Sequence, residues 1–326
     1  MPHILLTNRC NLGCSYCFAN EFVNKDNCDI TVEDYNKAVD FILQSGVGFI
    51  GLIGGEPLLH PDFGLFVDTL KKNPQIQKIT IFTNGLLIND YIDKIIDPQV
   101  HLLINCNTKE ILKTKENYKK LISNIELIHK ETKNKDNIHL GINIYSAALD
   151  YDWVFKLLKK YKKRELRISI SVPNYICSNI PDFETEIIQY KPFLFKLYKK
   201  LSQIGVLPLI DCNVIPNCMY TDSEKKMIEK LFKKFPNSFH KERILGQNVQ
   251  CLPTVDILPN LEAIRCFGLS GLSKVNIQNY ENIQEIKKHF IDTIDIPLSK
   301  IQNTKYCSTC LQSCNICFCY KKSNQN

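Results

Sequence analysis

No apolar run in this chain of 326 residues approaches the roughly 18 needed to cross a bilayer, so no membrane span is expected. The first residues, Met1-Pro2-His3-Ile4-Leu5-Leu6, lack a basic segment leading into an apolar stretch and a small-residue cleavage site. Export is therefore not expected, and the cytoplasm is the expected compartment. No internal repeat or low-complexity segment stands out. With 44% hydrophobic and 23% charged residues the composition is that of a globular protein, not a disordered one. The chain is long enough to bury a full core.

Charge is in modest excess. There are 41 Lys and Arg against 34 Asp and Glu, a net +7. The densest cluster, Lys159, Lys160, Lys162, Lys163 and Arg164, reads as the last turn of a helix, where the dipole favours cations. Nucleic acid is accordingly not an expected partner, while a mild positive field suits an acidic or peptide substrate. Cysteine is the abundant exception: 15 residues, an odd number, and clumped. A reducing compartment argues against a disulfide framework, and clumped cysteines there read as metal or catalytic sites.

Six strand-like apolar runs, near 3–7, 49–53, 78–82, 100–105, 138–144 and 165–171, are each followed by a helix-like stretch. Tyr118, Leu121, Ile122, Ile125 and Ile128 fall on one helical face. Thr31 with Asp34 three residues on marks a helix start, and Gly46 its end. Short, nearly continuous apolar strands alternating with helices predict an α/β fold with a parallel sheet, curved into an open or closed barrel. A helical pair near 181–204 and 222–235 leads out of it. Residues 251–319 lose the alternation and hold seven of the cysteines, which places a boundary in 205–215.

Cys10-Asn11-Leu12-Gly13-Cys14-Ser15-Tyr16-Cys17 follows the first strand, where loops at strand C-terminal ends build active sites in α/β barrels. Three thiolates on one short loop leave one iron of a four-iron cluster without a protein ligand, since a complete site takes four cysteines. A zinc site and buried thiols are the competing readings. Gly54-Gly55-Glu56-Pro57 directly follows the second strand. Its glycines permit close backbone approach, and Glu56 can accept a hydrogen bond from an ammonium.

Together the triad, Tyr16, the following Phe18 and the Gly-Gly-Glu-Pro turn resemble the radical S-adenosylmethionine (SAM) superfamily. The resemblance implies a partial (β/α)6 TIM-like barrel. It implies a [4Fe–4S] cluster bound by Cys10, Cys14, Cys17 and SAM, with Gly54, Gly55, Glu56 and Pro57 holding the methionine amino group. In that family one electron cleaves the sulfonium to a 5′-deoxyadenosyl radical, which abstracts a substrate hydrogen atom. Thr83-Asn84-Gly85 is similar to a turn that borders the family's site, although a polar turn entering a helix reads the same way. Asn143 is a candidate for the ribose.

After the barrel come Cys212, Cys218, Cys251, Cys266, Cys307, Cys310, Cys314, Cys317 and Cys319. Cys251, Cys266 and the Cys307-x-x-Cys310 pair resemble the auxiliary-cluster extensions called SPASM and twitch domains, with residues 255–260 as their small hairpin. Asn260 and Leu261 stand where a glycine is common, and the last cysteines are unusually crowded. Residues 1–210 are thus expected to be the barrel and 211–326 a small Cys-rich domain with one or two auxiliary [4Fe–4S] clusters, a zinc knuckle being the alternative. Cys106 and Cys177 are candidates to return a hydrogen atom to a substrate radical; Cys28 is a weaker one. All three are otherwise small buried hydrophobes.

The resemblance implies an oxidoreductase that modifies a peptide or protein, by thioether or carbon–carbon crosslinking or epimerisation in ribosomally made natural products. A formylglycine-forming sulfatase maturase and a small-molecule dehydrogenase or decarboxylase are the alternatives, and a non-catalytic iron–sulfur or zinc protein is a third class. An electron donor such as flavodoxin or ferredoxin is an expected partner. The first strand begins by residue 3, ahead of which many peptide maturases carry a leader-gripping winged helix. Recognition is then expected from the barrel mouth, the tail or a separate protein.

Overall fold

The computed structural model describes residues 1–25, 28–171, 189–211, 214–215, 217–235, 239–247 and 251–299. Two compact units share the chain. The first comprises Met1–His139 and Pro253–Ile294, the second Leu140–Leu252 and Asp295–Asn326.

In the first unit β1 (His3–Leu5), β2 (Phe49–Ile53), β3 (Lys78–Thr83) and β4 (Val100–Asn105) are consecutive parallel neighbours. Their core-facing residues, Ile4, Ile50, Leu52, Ile79, Ile81, Leu102 and Ile104, are almost wholly removed from water. The connections are α1 (Val32–Gln44), α2 (Phe63–Lys72) and the short α3 (Ile92–Ile95). As its sequence predicts, α1 starts at Thr31, whose Oγ1 accepts from Asp34 N (3.0 Å), and it stops before Gly46 at φ +71°. After β4 come α4 (Lys109–Leu112) and α5 (Lys115–Glu131), which buries Leu121, Ile125 and Ile128, with Ile122 half-buried.

The far part of the chain also enters this sheet. β8 (Asp256–Ile257) runs parallel to β1, with His3 opposite Asp256 and Ile4 opposite Ile257. The sheet then turns antiparallel through β9 (Glu262–Ile264) and β10 (Lys274–Asn276), before α10 (Ile283–Phe290). The expected hairpin therefore exists. It makes its turn with Leu261 itself at φ +63°, in the conformation a glycine would adopt freely.

The second unit holds β5 (Ile138–Ile144) from Leu140 on, with β6 (Glu165–Ile170) and β7 (Leu207–Ile210) as successive parallel neighbours. It also holds α6 (Asp152–Lys160), α7 (Lys191–Gln203), α8 (Asp222–Leu231) and α9 (Phe239–Ile244). β7 is a parallel strand beyond the six read from the sequence. Pro208 disguises it, but among the described residues β7 pairs only with β6, as a proline-bearing edge strand can. β1 ends at Leu5, short of the expected residue 7, because the chain leaves the sheet toward Thr7, which bridges Asp29. Among the described residues no helix is long and apolar enough to cross a membrane.

Candidate active site

At the C-terminal ends of β1, β2 and β3 three loops are knitted together. The Cys loop is anchored first by Arg9. Its guanidinium meets Asp29 with two bonds (Nε–Oδ1 3.1 Å, Nη2–Oδ2 2.6 Å) and reaches Leu59 O (3.0 Å). Thr7 Oγ1 donates to the same Asp29 oxygen (2.5 Å). Asn24, at φ +56°, accepts from Cys10 N (2.8 Å) and donates to Cys10 O (3.2 Å), closing the loop on itself.

Cys10, Cys14 and Cys17 are half-buried. Loss of water pushes the Cys10 thiol up to about 12 and the Cys14 thiol to about 11, the neighbouring thiols adding repulsion, and raises Cys17 as well. Such thiols ionise only beside a compensating cationic centre, and a bound metal deprotonates them outright. Among the described residues no three Cys, His, Asp or Glu side chains converge as a single ion requires. A [4Fe–4S] cluster takes each thiolate on a separate iron and is complete with four cysteines. The donor set therefore fits an iron–sulfur cluster with one iron open.

The Gly-Gly-Glu-Pro turn packs on this loop. Gly55 N donates to Thr7 O and Glu56 N to Arg9 O, both at 2.8 Å. A β-carbon on Gly54 would lie 2.9 Å from Thr7 O, and one on Gly55 2.4 Å from Arg9 O. The glycines thus serve chain-to-chain packing, a reason beyond the ligand approach read from the sequence. Glu56 is fully buried. Its Oε1 accepts from Thr83 Oγ1 (2.8 Å) and Leu58 N (3.2 Å), and its Oε2 accepts from Asn84 N (2.7 Å). Burial pushes its carboxyl up to about 7, with the three donors pulling the other way.

Asn84 Nδ2 donates to Asn11 Oδ1 (2.7 Å), tying the third loop back to the Cys loop. Gly85, at φ +82°, leaves no room for a β-carbon, which would lie 2.6 Å from Leu121 Cδ1. Pro57 is buried.

Other expected residues fall as follows. Tyr16 Oη donates to Asn107 Oδ1, in the loop after β4. Cys106 is buried at the end of β4, its Sγ directed at Ile104 O (3.7 Å). Asn143 lies in the second unit on β5, where Arg167 Nη1 donates to its Oδ1 (3.3 Å). Cys218 is exposed, and Cys28, Cys251 and Cys266 are half-buried. Arg265, fully buried, donates to Cys266 Sγ (3.6 Å). Cys177, Cys212, Cys307, Cys310, Cys314, Cys317 and Cys319 lie outside the described residues. Sequence reasoning missed Thr7, Arg9, Asp29, Asn11 and Asn107. The only signal available was their nearness to the triad or to strand ends.

A parallel α/β sheet with a three-thiol loop, braced by an acidic glycine turn at its strand ends, is an arrangement that fits an open-iron cluster beside a second ligand. Residues 4–146 match the family model described as the Radical SAM superfamily. Curated relatives include molybdenum cofactor biosynthesis protein 1 of Dictyostelium discoideum, 35% identical over 31% of this chain and 16% of its own. A probable GTP 3′,8-cyclase of Methanococcus aeolicus is 33% identical over 38% of this chain and 42% of its own. The chain thus spans less than half the length of these relatives.

Among solved structures, Streptococcus suis SuiB bound to S-adenosylmethionine superposes with TM-score 0.61 at 16% identity, covering 100% of this chain and 74% of that one. anSMEcpe with bound AdoMet and Kp18Cys peptide gives TM-score 0.64 at 17% identity, covering 98% and 88%. These likenesses bear on fold, and the fold class is α/β, the partial TIM-like barrel expected from the sequence.

Proposed function

We propose that this protein is a radical SAM enzyme that abstracts a hydrogen atom from a peptide substrate. One observation carries the first half: the Cys loop, the Gly-Gly-Glu-Pro turn and Thr83–Asn84 are joined through the carboxylate of Glu56 and the amide of Asn84. Cys10, Cys14 and Cys17 would hold the cluster, and the turn at 54–57 would receive the methionine end of SAM. When bound, cluster and SAM supply a 5′-deoxyadenosyl radical by one-electron cleavage of the sulfonium bond.

The chain's own residues fix the geometry for this. Arg9 and Asp29 hold the root of the Cys loop, Asn24 closes it, and Tyr16 pins its far side to Asn107. Residues 1–210 would form the radical SAM domain, and 211–326 an auxiliary domain holding one or two further clusters. Cys251 and Cys266 are its described candidate ligands, and the donor Arg265 beside Cys266 suits an anionic thiolate.

For the peptide half, support comes from extent. The likeness to SuiB, whose other structure holds the precursor peptide SuiA, covers 100% of this chain. A small-molecule substrate is the second reading, favoured by the GTP 3′,8-cyclases among the sequence relatives.

The test is anaerobic reconstitution followed by reduction with SAM. The wild type is expected to release 5′-deoxyadenosine. The Cys10→Ala/Cys14→Ala/Cys17→Ala variant is expected to release none while keeping auxiliary iron. Cleavage retained in that variant would sink the assignment.

A further inference from the structure

The loop after β4 carries charge that the proposed site does not use. It touches the Cys loop at two points: Tyr16 Oη donates to Asn107, and Lys113 Nζ stands 3.4 Å from where a β-carbon on Gly13 would sit. Lys113 ends α4 at φ +65°, a left-handed conformation that disfavours lysine. It is held there by its own N–H to Lys109 O (3.0 Å) and by Thr114 N–H to Leu112 O (2.7 Å). The Lys113 cation is also felt at Cys14, where it opposes the rise of the thiol.

From this point the surface is basic. Lys109, Lys113, Lys115, Lys119 and Lys120 are exposed alongside Glu110 and Glu116, so five cations against two anions leave +3. Lys115 and Lys119 share a face of α5, one turn apart. The Lys109 ammonium lies 5.2 Å over the Tyr118 ring, joining α4 to α5. These cations stand exposed on one stretch of surface, where a broad acidic face can meet several of them at once. Their fields reach about 10 Å at moderate salt, enough to orient an approaching acidic surface before contact.

Resting on the function proposed above, we infer that the basic edge formed by α4 and the start of α5 is the docking surface for an acidic one-electron carrier protein. The carrier gives up one electron and the cluster held by the adjacent Cys loop gains it; no bond is made or broken and no proton moves in that step. Complementary charge acts here chiefly on the rate of encounter, so the dependence on salt is its signature.

The experiment uses full-length, cluster-loaded protein and its K115E/K119E variant, with K115Q/K119Q as the milder change. A reduced flavodoxin of net negative charge delivers the electron, and stopped-flow bleaching of the cluster absorbance reads its arrival at low and high salt. Photoreduced 5-deazariboflavin, small and without that charge, is the parallel reductant. At low salt the charge-reversed variant is expected to lose about tenfold in rate with flavodoxin, the neutral one less, and both to converge on wild type at high salt. With the deazaflavin all three are expected to be alike. Equal rates with flavodoxin at low salt would overturn the inference, and so would a parallel loss with the deazaflavin, which would mean the lysines act on the cluster itself. If the wild type is bleached by both reductants but cleaves no SAM, the proposed function fails, and the flavodoxin rates still decide the docking surface.

Discussion

Glu56 sits out of reach of water, with three donors on its two oxygens. Its carboxyl rises from the ordinary 4.5 to about 7 because burial outweighs those donors. Between those pH values the folded chain keeps a proton that the unfolded chain gives up. The stability this group contributes is therefore full below about pH 4.5, lost as pH rises toward about 7, and level above it. The difference corresponds to at most about 3 kcal/mol. Glu56→Gln removes the titration, so the fall in apoprotein stability between pH 5 and pH 7.5, read by denaturant melts, is expected to be smaller in the variant by that order. Equal falls would show that Glu56 titrates in its usual range. The identity of this residue, like the three thiols and Gly85, was legible in the sequence because each belongs to a short motif with local spacing. Its partners were not. Asn11, Arg9 and Asp29 meet their neighbours across separate loops, and such contacts leave no period or spacing in the chain.

The hairpin of β8 and β9 shows the same limit for whole elements. Its position in the sequence marks it as part of a Cys-rich tail, yet it lies along β1 and packs beneath the Cys loop. Leu5, Ala19, Leu258, Ile264 and Phe267 form one apolar cluster against which Cys17, Phe22, Val23 and Ile53 rest. Phe267 meets Phe18 and Phe22 edge-on, with ring centroids at 5.3 and 5.7 Å. Ser270 Oγ adds a bond to Glu21 (2.8 Å). The parallel pairing with β1 is a long-range register that alternation along a strand of two residues cannot encode. Phe267 therefore supports the floor of the Cys loop from a distant part of the chain. Phe267→Ala is expected to cost about 3 kcal/mol, as large-to-small changes in a packed cluster do. It should also loosen the iron of the cluster proposed at Cys10, Cys14 and Cys17, measured as faster loss of iron to a chelator. Unchanged iron loss at equal occupancy would confine the hairpin to a structural part.

At the scale of the whole molecule the two kinds of likeness point to different substrates, and their extents explain why. Sequence identity to the Methanococcus aeolicus GTP 3′,8-cyclase covers 38% of this chain, while the domain model ends at residue 146. That portion contains the Cys loop, the Gly-Gly-Glu-Pro turn and Thr83–Asn84, the parts that any chemistry beginning with SAM would need. Likeness of fold to SuiB and anSMEcpe covers 100% and 98% of this chain and bears on fold alone. Turnover, not likeness, decides between the proposed peptide substrate and GTP. Reduced enzyme is to be offered GTP in one vessel and, in another, peptides encoded beside its gene, with 5′-deoxyadenosine and product mass followed in both. The peptide is expected to lose two mass units on crosslinking or oxidation. On epimerisation it would keep its mass in ordinary water and gain deuterium in heavy water. Turnover of GTP with an unaltered peptide would overturn the peptide reading and leave the SAM-cleaving half intact.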